Sequence, residues 1–263
     1  MDILHQLAVF ILSVVSDPDC PVCRVPMQKP LSLCDDCLAK LTAEAALPCP
    51  DCGKPASQCL CGHMNLSPMP IFLSGRTWLA HTWYLPVGSQ ELDVGKTYMR
   101  CTEPLLLACK KRNNPALSGY IAERLAADLS PLLPPEKREG WYLTYPPRSE
   151  EGYQKYGFDQ CEEIAKQLGK KLGIPVRRML KRTGGAEQKK MTDIAARAAN
   201  MADAFSPRRV PAGCRVLLLD DIITTGSTIR AAGNALVQGG ARAVFPIAYA
   251  TTMNKKTQYR KGQ

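Results

Sequence analysis

Residues 217–228 read LLLDDIITTGST, and this stretch decides the fold. The leucines belong to an apolar run at 215–219 that is typical of a buried strand in a parallel sheet. Asp220 and Asp221 follow where that strand is expected to end, and the threonine, glycine and serine residues after them precede a pattern that predicts a helix over 227–238. The stretch therefore predicts a strand, a loop and a helix, with two carboxylates at the edge of a sheet.

The same alternation of strands and helices continues on either side of this unit. The predicted helices cover 98–130 with a break at 113–115, then 159–172, 190–201 and 227–238. The predicted strands cover 141–148, 175–180, 215–219 and 243–249. Asp159 has the position of an N-cap, and Gly173 closes the same helix. We therefore expect an α/β fold, in which a parallel sheet carries helices on both faces.

Eight of the twelve cysteines lie within 20–61, mostly in C-x-x-C pairs. Two such pairs make one tetrahedral thiolate site, because the tight turn between the paired cysteines lets both sulfurs face one ion. The spacing predicts a small zinc-ribbon module with two structural zinc ions. The predicted metal ligands are Cys20, Cys23, Cys34, Cys37, Cys49, Cys52, Cys59 and Cys61.

Two questions about these ligands stay open at the level of sequence. Sequential and crossed pairings of the cysteine pairs both fit. Cys59 and Cys61 are also more tightly spaced than the other pairs, and His63 could replace one of them. A disulfide framework is the alternative to zinc, but nothing in the sequence marks the chain for secretion.

The net charge of +10 favours a polyanionic partner such as a phosphate compound or a nucleic acid. A solvated basic surface is the alternative explanation.

The apolar run at 3–15 is too short to cross a bilayer and predicts an amphipathic helix that lies on the protein, with attachment to a membrane surface as the alternative. We therefore expect a cytoplasmic protein without a membrane span.

The loop after the aspartates has the composition of a phosphate cradle. Glycine and small hydroxyl residues let backbone N–H groups converge on a phosphate at the positive end of the following helix. The loop is not a Walker A motif, which requires Gly-Lys-Ser/Thr. Because paired carboxylates can accept hydrogen bonds from a vicinal diol, the stretch as a whole matches a ribose that carries a phosphate.

At these residues the sequence resembles the phosphoribosyl pyrophosphate (PRPP) signature of the phosphoribosyltransferases, and more narrowly the ComF/GntX family. The resemblance extends to the cysteine module and to the Gly-Phe-Asp-Gln motif at 157–160, where the family has a similar Gly-Phe-Asn-Gln. It implies a type I phosphoribosyltransferase fold after a double zinc ribbon, with magnesium bridging the diol and the pyrophosphate of PRPP.

The resemblance also implies roles for individual residues. The implied catalytic residues are Asp220, Asp221, Arg148 and Lys155. The implied PRPP-binding residues are Pro147 and Arg148 of the pyrophosphate loop, together with Asp220, Asp221, Ile222, Ile223, Thr224, Thr225, Gly226, Ser227 and Thr228. The expected activity is phosphoribosyl transfer with release of pyrophosphate to an unidentified acceptor.

One feature departs from the family. Relatives have a string of arginines after the pyrophosphate loop, whereas this chain has Glu150 and Glu151, which would weaken pyrophosphate binding if they face it. The alternative functions are a non-catalytic PRPP sensor, or a factor that handles single-stranded DNA with a helicase-type partner in natural transformation. The basic segment 166–190 fits a phosphate-backbone track, although it lacks interleaved aromatic residues.

These observations divide the chain into five segments. They are an amphipathic helix at 1–19, the double zinc-ribbon module at 20–63, a connector with short strands at 64–97, the phosphoribosyltransferase-like domain at 98–252 and a basic tail at 253–263.

Overall fold

The computed structural model of the protein describes residues 19–27, 32–61, 73, 75–84, 100–183 and 204–252. The helices are α1 Asp35–Ala45, α2 Thr102–Lys111, α3 Pro115–Leu129, α4 Glu150–Tyr156, α5 Gln160–Leu172 and α6 Ser227–Gln238. The strands are β1 Leu79–Tyr84, β2 Trp141–Thr144, β3 Leu180–Arg182, β4 Phe205–Pro207, β5 Arg215–Ile223 and β6 Ala243–Thr252. The helix expected over 1–19, the helix expected over 190–201, His63 and the basic tail lie outside the described residues, apart from Asp19.

The central sheet has the strand order β1-β6-β5-β2, and every neighbouring pair in it is parallel. Leu217 of β5 pairs with Leu143 of β2 on one side and with Phe245 of β6 on the other. The leucine run is therefore apolar throughout because it lies in the interior of the sheet, where both faces are covered. The predicted α/β fold with a parallel sheet is confirmed.

Successive residues of β5 pack into two different cores. Leu217 and Leu219 share a buried cluster with helices α2, α3 and α5, while Val216 and Leu218 share another with α6 and the antiparallel pair β3 and β4. This period of two is that of a strand between layers. Helices therefore cover both faces of the sheet, as the sequence predicted. Within the described residues, no helix has the length and hydropathy needed to cross a bilayer.

Three local predictions are confirmed in detail. The break at 113–115 separates α2 from α3, and the Asn114 side chain caps α3 ahead of Pro115. The Asp159 carboxylate caps α5, and Gly173 ends that helix in the left-handed conformation with φ 65°. Helix α6 spans the predicted residues.

Three other elements differ from the sequence-based expectation. The strand expected over 175–180 makes only one parallel bridge, from Val176 to Leu143, and Pro175 has no N–H with which to extend that ladder toward the start of β2. Strand β3 then leaves the sheet and pairs antiparallel with β4. Strand β2 is shorter than expected, since Pro146 and Pro147 follow it. Strand β5 is longer, because Ile223 still pairs with Thr251 of β6.

The region expected to be a connector with short strands contributes one strand to the main sheet. Strand β1 pairs with β6 along its length, from Leu79 opposite Ile247 to Tyr84 opposite Thr252. The residues of β1 are only weakly amphipathic, so the sequence alone did not assign this strand to the main sheet. Trp83 of this strand donates its indole N–H to the carbonyl oxygen of Leu47 at 3.0 Å, which attaches the cysteine-rich module to the sheet edge.

Two helical glycines provide a matched test of packing between α5 and the chain that follows it. A Cβ atom on Gly169 would lie 2.5 Å from Cγ2 of Val176 and 2.8 Å from the carbonyl oxygen of Ile174, whereas a Cβ atom on Gly119 of α3 would meet nothing within 4 Å. We expect Gly169→Ala to lower the free energy of unfolding by about 1–3 kcal/mol. Gly119→Ala should raise it by about 0.5–1 kcal/mol, the ordinary helix preference for alanine. Urea denaturation of both variants checks this pair, and equal shifts of the same sign would contradict the packing described.

Candidate functional site

The carboxyl end of β5 presents two aspartates that are fixed by main-chain contacts. Asp220 Oδ1 accepts a hydrogen bond from the Asp221 N–H at 2.9 Å, and Asp221 Oδ1 accepts one from the Ile222 N–H at 2.8 Å. The second oxygen of Asp221 accepts from the Gln160 side-chain amide at 3.0 Å. Both side chains are half-buried, so the pair forms an oriented acceptor surface at the sheet edge.

The loop between β5 and α6 is shaped by Gly226, which has φ 73° and directly precedes the helix. As the N-cap residue it has no side chain to accept a hydrogen bond from the first amides of α6, although the Ser227 amide donates to the Thr225 hydroxyl at 3.4 Å. The start of this helix still favours an anion through its dipole. The loop is attached to β6, because the hydroxyls of Thr251 and Thr252 donate to the carbonyl oxygens of Ile223 and Thr224 at 2.9 and 3.2 Å. The Thr225 and Ser227 hydroxyls lie 3.1 Å apart.

The opposite wall of the site comes from the loop after β2 and from the start of α5. Buried Asp159 connects them: its Oδ1 accepts from the Cys161 and Glu162 amides, and its Oδ2 accepts from the Arg148 amide at 2.7 Å. Burial raises the pKa of Asp159, while the hydrogen bonds from these amides oppose that rise. The carboxylate therefore sets the position of the loop relative to the helix.

Arg148 is held by contacts within the protein. Its guanidinium donates to the carbonyl oxygens of Phe158 and Lys110, each at 2.8 Å. It also lies over the Tyr156 ring, 4.5 Å from the ring centroid. Arg148 is therefore a fixed charge at the site, and two of its five guanidinium N–H donors are used within the protein.

These elements enclose a cavity of about 310 Å³. Of the predicted site residues, six line it, namely Pro147, Arg148, Asp220, Asp221, Ile222 and Thr228. The loop residues Ile223, Thr224, Thr225, Gly226 and Ser227 are not among those that line it. Other residues that line it include Lys110, Gln160 and Cys161, to which sequence reasoning gave no role in binding, and Arg182, which belongs to the basic segment 166–190. Gln160 lies within the motif at 157–160 and could have been found from it, whereas no motif marks Lys110.

Lys155 is not brought into this group. It is exposed on α4, and its ammonium lies over the Tyr156 ring at 5.3 Å from the centroid. It is not among the residues that line the cavity with the aspartates. The catalytic role predicted for Lys155 therefore has no contact to support it among the described residues.

Glu150 and Glu151 occupy the first turn of α4, which Ser149 caps. Acidic residues favour this position because they complement the positive end of the helix. Neither lines the cavity that contains the aspartates. Glu150 instead lines a neighbouring cavity of about 500 Å³, together with basic residues that include Arg178, Lys181 and Arg208. The two glutamates therefore do not face the Asp220–Asp221 cavity.

The two aspartates at the sheet edge differ in their electrostatic surroundings. Burial raises the pKa of Asp220 well above its ordinary value, and the neighbouring charge of Asp221 raises it further. The Asp221 amide, which donates to Asp220, partly offsets both effects. The folded protein therefore disfavours the ionised form of Asp220 in the absence of a bound partner.

The eight N-terminal cysteines form two groups of four, each with its sulfurs within 4.8 Å of one another. The groups are Cys20, Cys23, Cys34 and Cys37, and Cys49, Cys52, Cys59 and Cys61. The Sγ atoms of Cys23 and Cys34 are 3.6 Å apart, and those of Cys52 and Cys59 are 3.7 Å apart. Four sulfurs at about 2.3 Å from one Zn²⁺ would be separated by about 3.8 Å. The pairing is therefore sequential, and either group could hold a metal ion.

The two groups begin with the same backbone turn. The Cys20 amide donates to the Val25 carbonyl oxygen and the Cys49 amide donates to that of Lys54, each at 2.8 Å. Burial raises the pKa of Cys20, but backbone amides that point at its sulfur bring it down to about 7. None of the twelve cysteines is in a disulfide, which agrees with metal sites and not with a disulfide framework.

A third group combines Cys161 with Asp220 and Asp221, whose donor atoms also lie within 4.8 Å of one another. The Cys161 sulfur is 4.0 Å from Asp220 Oδ1 and is buried. The carboxylates suit a hard cation such as Mg²⁺, whereas a thiol does not. The aspartates are thus the members of this group that fit magnesium.

Comparison with protein families gives one match within the chain. Residues 154–262 match the family model described as "Phosphoribosyl transferase domain", which is less than half of the sequence. The match includes α5, β5, α6 and β6, and therefore both aspartates and the loop that follows them. A comparison with curated protein sequences finds no significant match.

Solved structures with a similar arrangement share little sequence with the chain. Adenine phosphoribosyltransferase from Thermoanaerobacter pseudethanolicus is 17% identical with a TM-score of 0.34, over 56% of this chain and 84% of that one. Phosphoribosylpyrophosphate synthetase from Mycobacterium smegmatis is 20% identical with a TM-score of 0.30, over 56% of this chain but only 36% of the other. The family match and the parallel sheet show that the fold of this part of the chain is phosphoribosyltransferase-like.

The raised pKa of Asp220 gives a prediction about stability. The pKa of Asp220 is higher in the folded state than in the unfolded state. Ionisation of Asp220 therefore lowers the free energy of unfolding as the pH rises from the unfolded-state pKa to the folded-state pKa. We expect Asp220→Asn to raise the melting temperature at neutral pH by about 2–4 °C, the shift that ~1 kcal/mol produces in a protein of this size. The gain should shrink as the pH falls toward the ordinary pKa of aspartate. Scanning calorimetry across pH tests this, with exposed Asp36→Asn as the control, and a lower melting temperature for Asp220→Asn would contradict it.

Proposed function

We propose that this protein binds PRPP in the cavity between β5 and the loop after β2, and that it transfers the phosphoribosyl group to an acceptor. The observation that carries this proposal is the pairing of Asp220 and Asp221 with the α6 amides exposed by Gly226. Paired carboxylates suit the two ribose hydroxyls, and the amides of a helix N-terminus suit the 5-phosphate. The match of residues 154–262 to a phosphoribosyltransferase model supports the same proposal.

In the proposed reaction, the lone pair of the acceptor forms a bond to C1 of the ribose as the C1–O bond to pyrophosphate breaks. The bonding electrons leave with the pyrophosphate, and positive charge develops on the ribose. The aspartates hold the ribose through its hydroxyls, so they fix C1 relative to the acceptor. Lys110, Arg148 and Arg182 line the same cavity and stabilise the negative charge of the leaving group.

Magnesium fits this site through the oxygens of the aspartates, and when bound with PRPP it would neutralise charge on the pyrophosphate. Asp220 and Asp221 are the residues of this chain that would hold it. A bound cation also stabilises the ionised form of Asp220, which the protein alone disfavours. The residues present are therefore compatible with a magnesium complex of the substrate.

We further propose that the chain belongs with the ComF/GntX proteins and that each cysteine group holds one structural zinc ion. The order of the elements supports this, with two four-cysteine groups ahead of a phosphoribosyltransferase-like sheet. The zinc ions would have a folding role, since each group already provides four ligands and leaves no open position.

A non-catalytic PRPP sensor is the second candidate, and it is favoured by the engagement of Arg148. Its guanidinium is bonded to two carbonyl oxygens and stacked on Tyr156, which leaves fewer donors for pyrophosphate. The role in single-stranded DNA handling stays a prediction. Within the described part of its predicted track, Lys166 and Arg178 are both paired with Glu162, which reduces their availability to a phosphate backbone.

Pyrophosphate release tests the proposed reaction. Purified protein with PRPP, Mg²⁺ and a pool of amines and nucleobases should release pyrophosphate above the rate without protein. The double variant Asp220→Asn with Asp221→Asn should lose at least 100-fold in rate, because the ribose hydroxyls lose their charged acceptors. A coupled phosphate assay after pyrophosphatase measures the release, with Asp36→Asn as the control.

Calorimetric titration of PRPP separates the two candidates. Binding without release supports the sensor, and release supports the transferase. Absence of both, in protein shown to be folded, would contradict the proposed function.

Metal content tests the cysteine groups. We expect about two zinc ions per chain, with one lost in Cys23→Ser and the other in Cys52→Ser, because three thiolates hold the ion far less tightly than four. Cys214→Ser should keep both, since that cysteine lies in the core of the sheet domain. Elemental analysis of the purified variants measures this, and zinc loss in Cys214→Ser equal to that in Cys23→Ser would contradict the assignment.

A further inference from the structure

Glu44 is a buried carboxylate that joins the cysteine module to the sheet domain. It lies near the end of α1 with 5% of its surface exposed. Its two oxygens accept hydrogen bonds from the backbone amides of Cys101 and Thr102, the second at 2.9 Å. A fully used carboxylate in this position is a specific contact between the two parts of the chain.

Those two amides belong to the start of α2. Its N-cap residue, Cys101, makes no capping hydrogen bond through its side chain. The amides at a helix start need an acceptor, and a negative charge there is also favoured by the helix dipole. Glu44 therefore caps α2 from a different segment of the chain.

The other end of α2 belongs to the proposed PRPP site. Lys110 lines the cavity, and its carbonyl oxygen accepts a hydrogen bond from Arg148 at 2.8 Å. Cys109 of α2 lines a small cavity together with Gln160, whose side-chain amide donates to Asp221 at 3.0 Å, so this end of α2 lies close to the aspartates. One helix of ten residues, α2, thus runs from the cysteine module to the wall of the proposed PRPP cavity that contains Arg148.

The metal group lies at the start of α1, since Cys34 is its N-cap and Cys37 is in its first turn. Glu44 follows Cys37 on the same helix by about two turns. Metal bound by the first cysteine group would therefore fix the direction in which Glu44 reaches α2.

We propose that Glu44 is a positioning residue for the PRPP site, and that metal in the Cys20–Cys37 group supports ligand binding through α1, Glu44, α2 and the Lys110–Arg148 contact. This inference rests on the proposed function. It gives the cysteine module a role in the site beyond folding. Without the Glu44 cap, α2 can shift, and Arg148 then loses its hydrogen bond to the Lys110 carbonyl oxygen.

A double-mutant cycle tests this with PRPP and Mg²⁺ as the probe. We expect Glu44→Ala to raise the dissociation constant about five- to tenfold, the lower range of ordinary coupling between sites. Glu44→Gln keeps one carbonyl acceptor, so its dissociation constant should lie between those of the wild type and Glu44→Ala. In an Arg148→Ala background, Glu44→Ala should have no further effect on binding, because the contact through which it acts is gone.

The control is Arg138→Ala, which removes side-chain bonds to the carbonyl oxygens of Leu133 and Leu172 on a different part of the domain. It should lower the melting temperature and leave the dissociation constant unchanged. Equal effects of Glu44→Ala with and without Arg148 would overturn the proposal, as would unchanged PRPP affinity in Glu44→Ala and Glu44→Gln.

Hydrogen exchange provides a readout that does not need PRPP binding. Glu44→Gln should speed exchange of the amides in α2 and of the Arg148 amide, but not of those in β6. If the wild-type chain does not bind PRPP, the proposed function fails, and the exchange pattern still decides whether Glu44 positions the site. Unchanged exchange at Arg148 would overturn the coupling by itself.

Discussion

The candidate site depends on the buried carboxylate of Asp159. Its three amide contacts close the start of α5 and hold the loop after β2 at Arg148. Two of these bonds are local and would form in any helix with this cap, whereas the bond to Arg148 spans the gap between two elements. Removal of the carboxylate would leave buried amides without an acceptor at both places, a cost of about 1–3 kcal/mol for each. The same residue therefore secures a helix and sets the width of the cavity.

The part of the fold that could be predicted is the part encoded by local patterns. The leucine run of β5, the caps at Asn114 and Asp159 and the glycine after α5 each carry their information within a few residues. Strand β1 could not be placed, because its partner β6 is more than 150 residues away in sequence and its own pattern is short. The departure of the chain from the sheet after Val176 was also missed, since it depends on contacts with β2 that are remote in sequence.

The residues of the candidate site likewise differ in whether local sequence or tertiary packing determines their position. The aspartates and the loop that follows them are adjacent in sequence, so their chemistry could be inferred from composition. Lys110 and Arg182 enter the cavity from elements whose positions are set by tertiary packing, and although Arg182 lies in the basic segment 166–190, no local pattern places either residue beside the aspartates. For Glu150 and Glu151 the sequence indicated nearness to the pyrophosphate loop, but their direction depends on the start of α4 at Ser149. The position of a charged residue in the sequence does not reveal which cavity its side chain faces.

The two walls of the cavity carry opposite charge, and this division explains why a costly carboxylate can be kept. Asp220 is half-buried beside Asp221, and both loss of solvation and like charge disfavour its ionised form. Lys110, Arg148 and Arg182 line the same cavity, but none of them forms an ion pair with Asp220 in the described part of the chain. Acceptors and cations that are kept apart within one cavity remain available to a ligand that has hydroxyls at one end and phosphates at the other. The energy that the fold gives up at Asp220 is recovered only when such a ligand, with its cation, is bound.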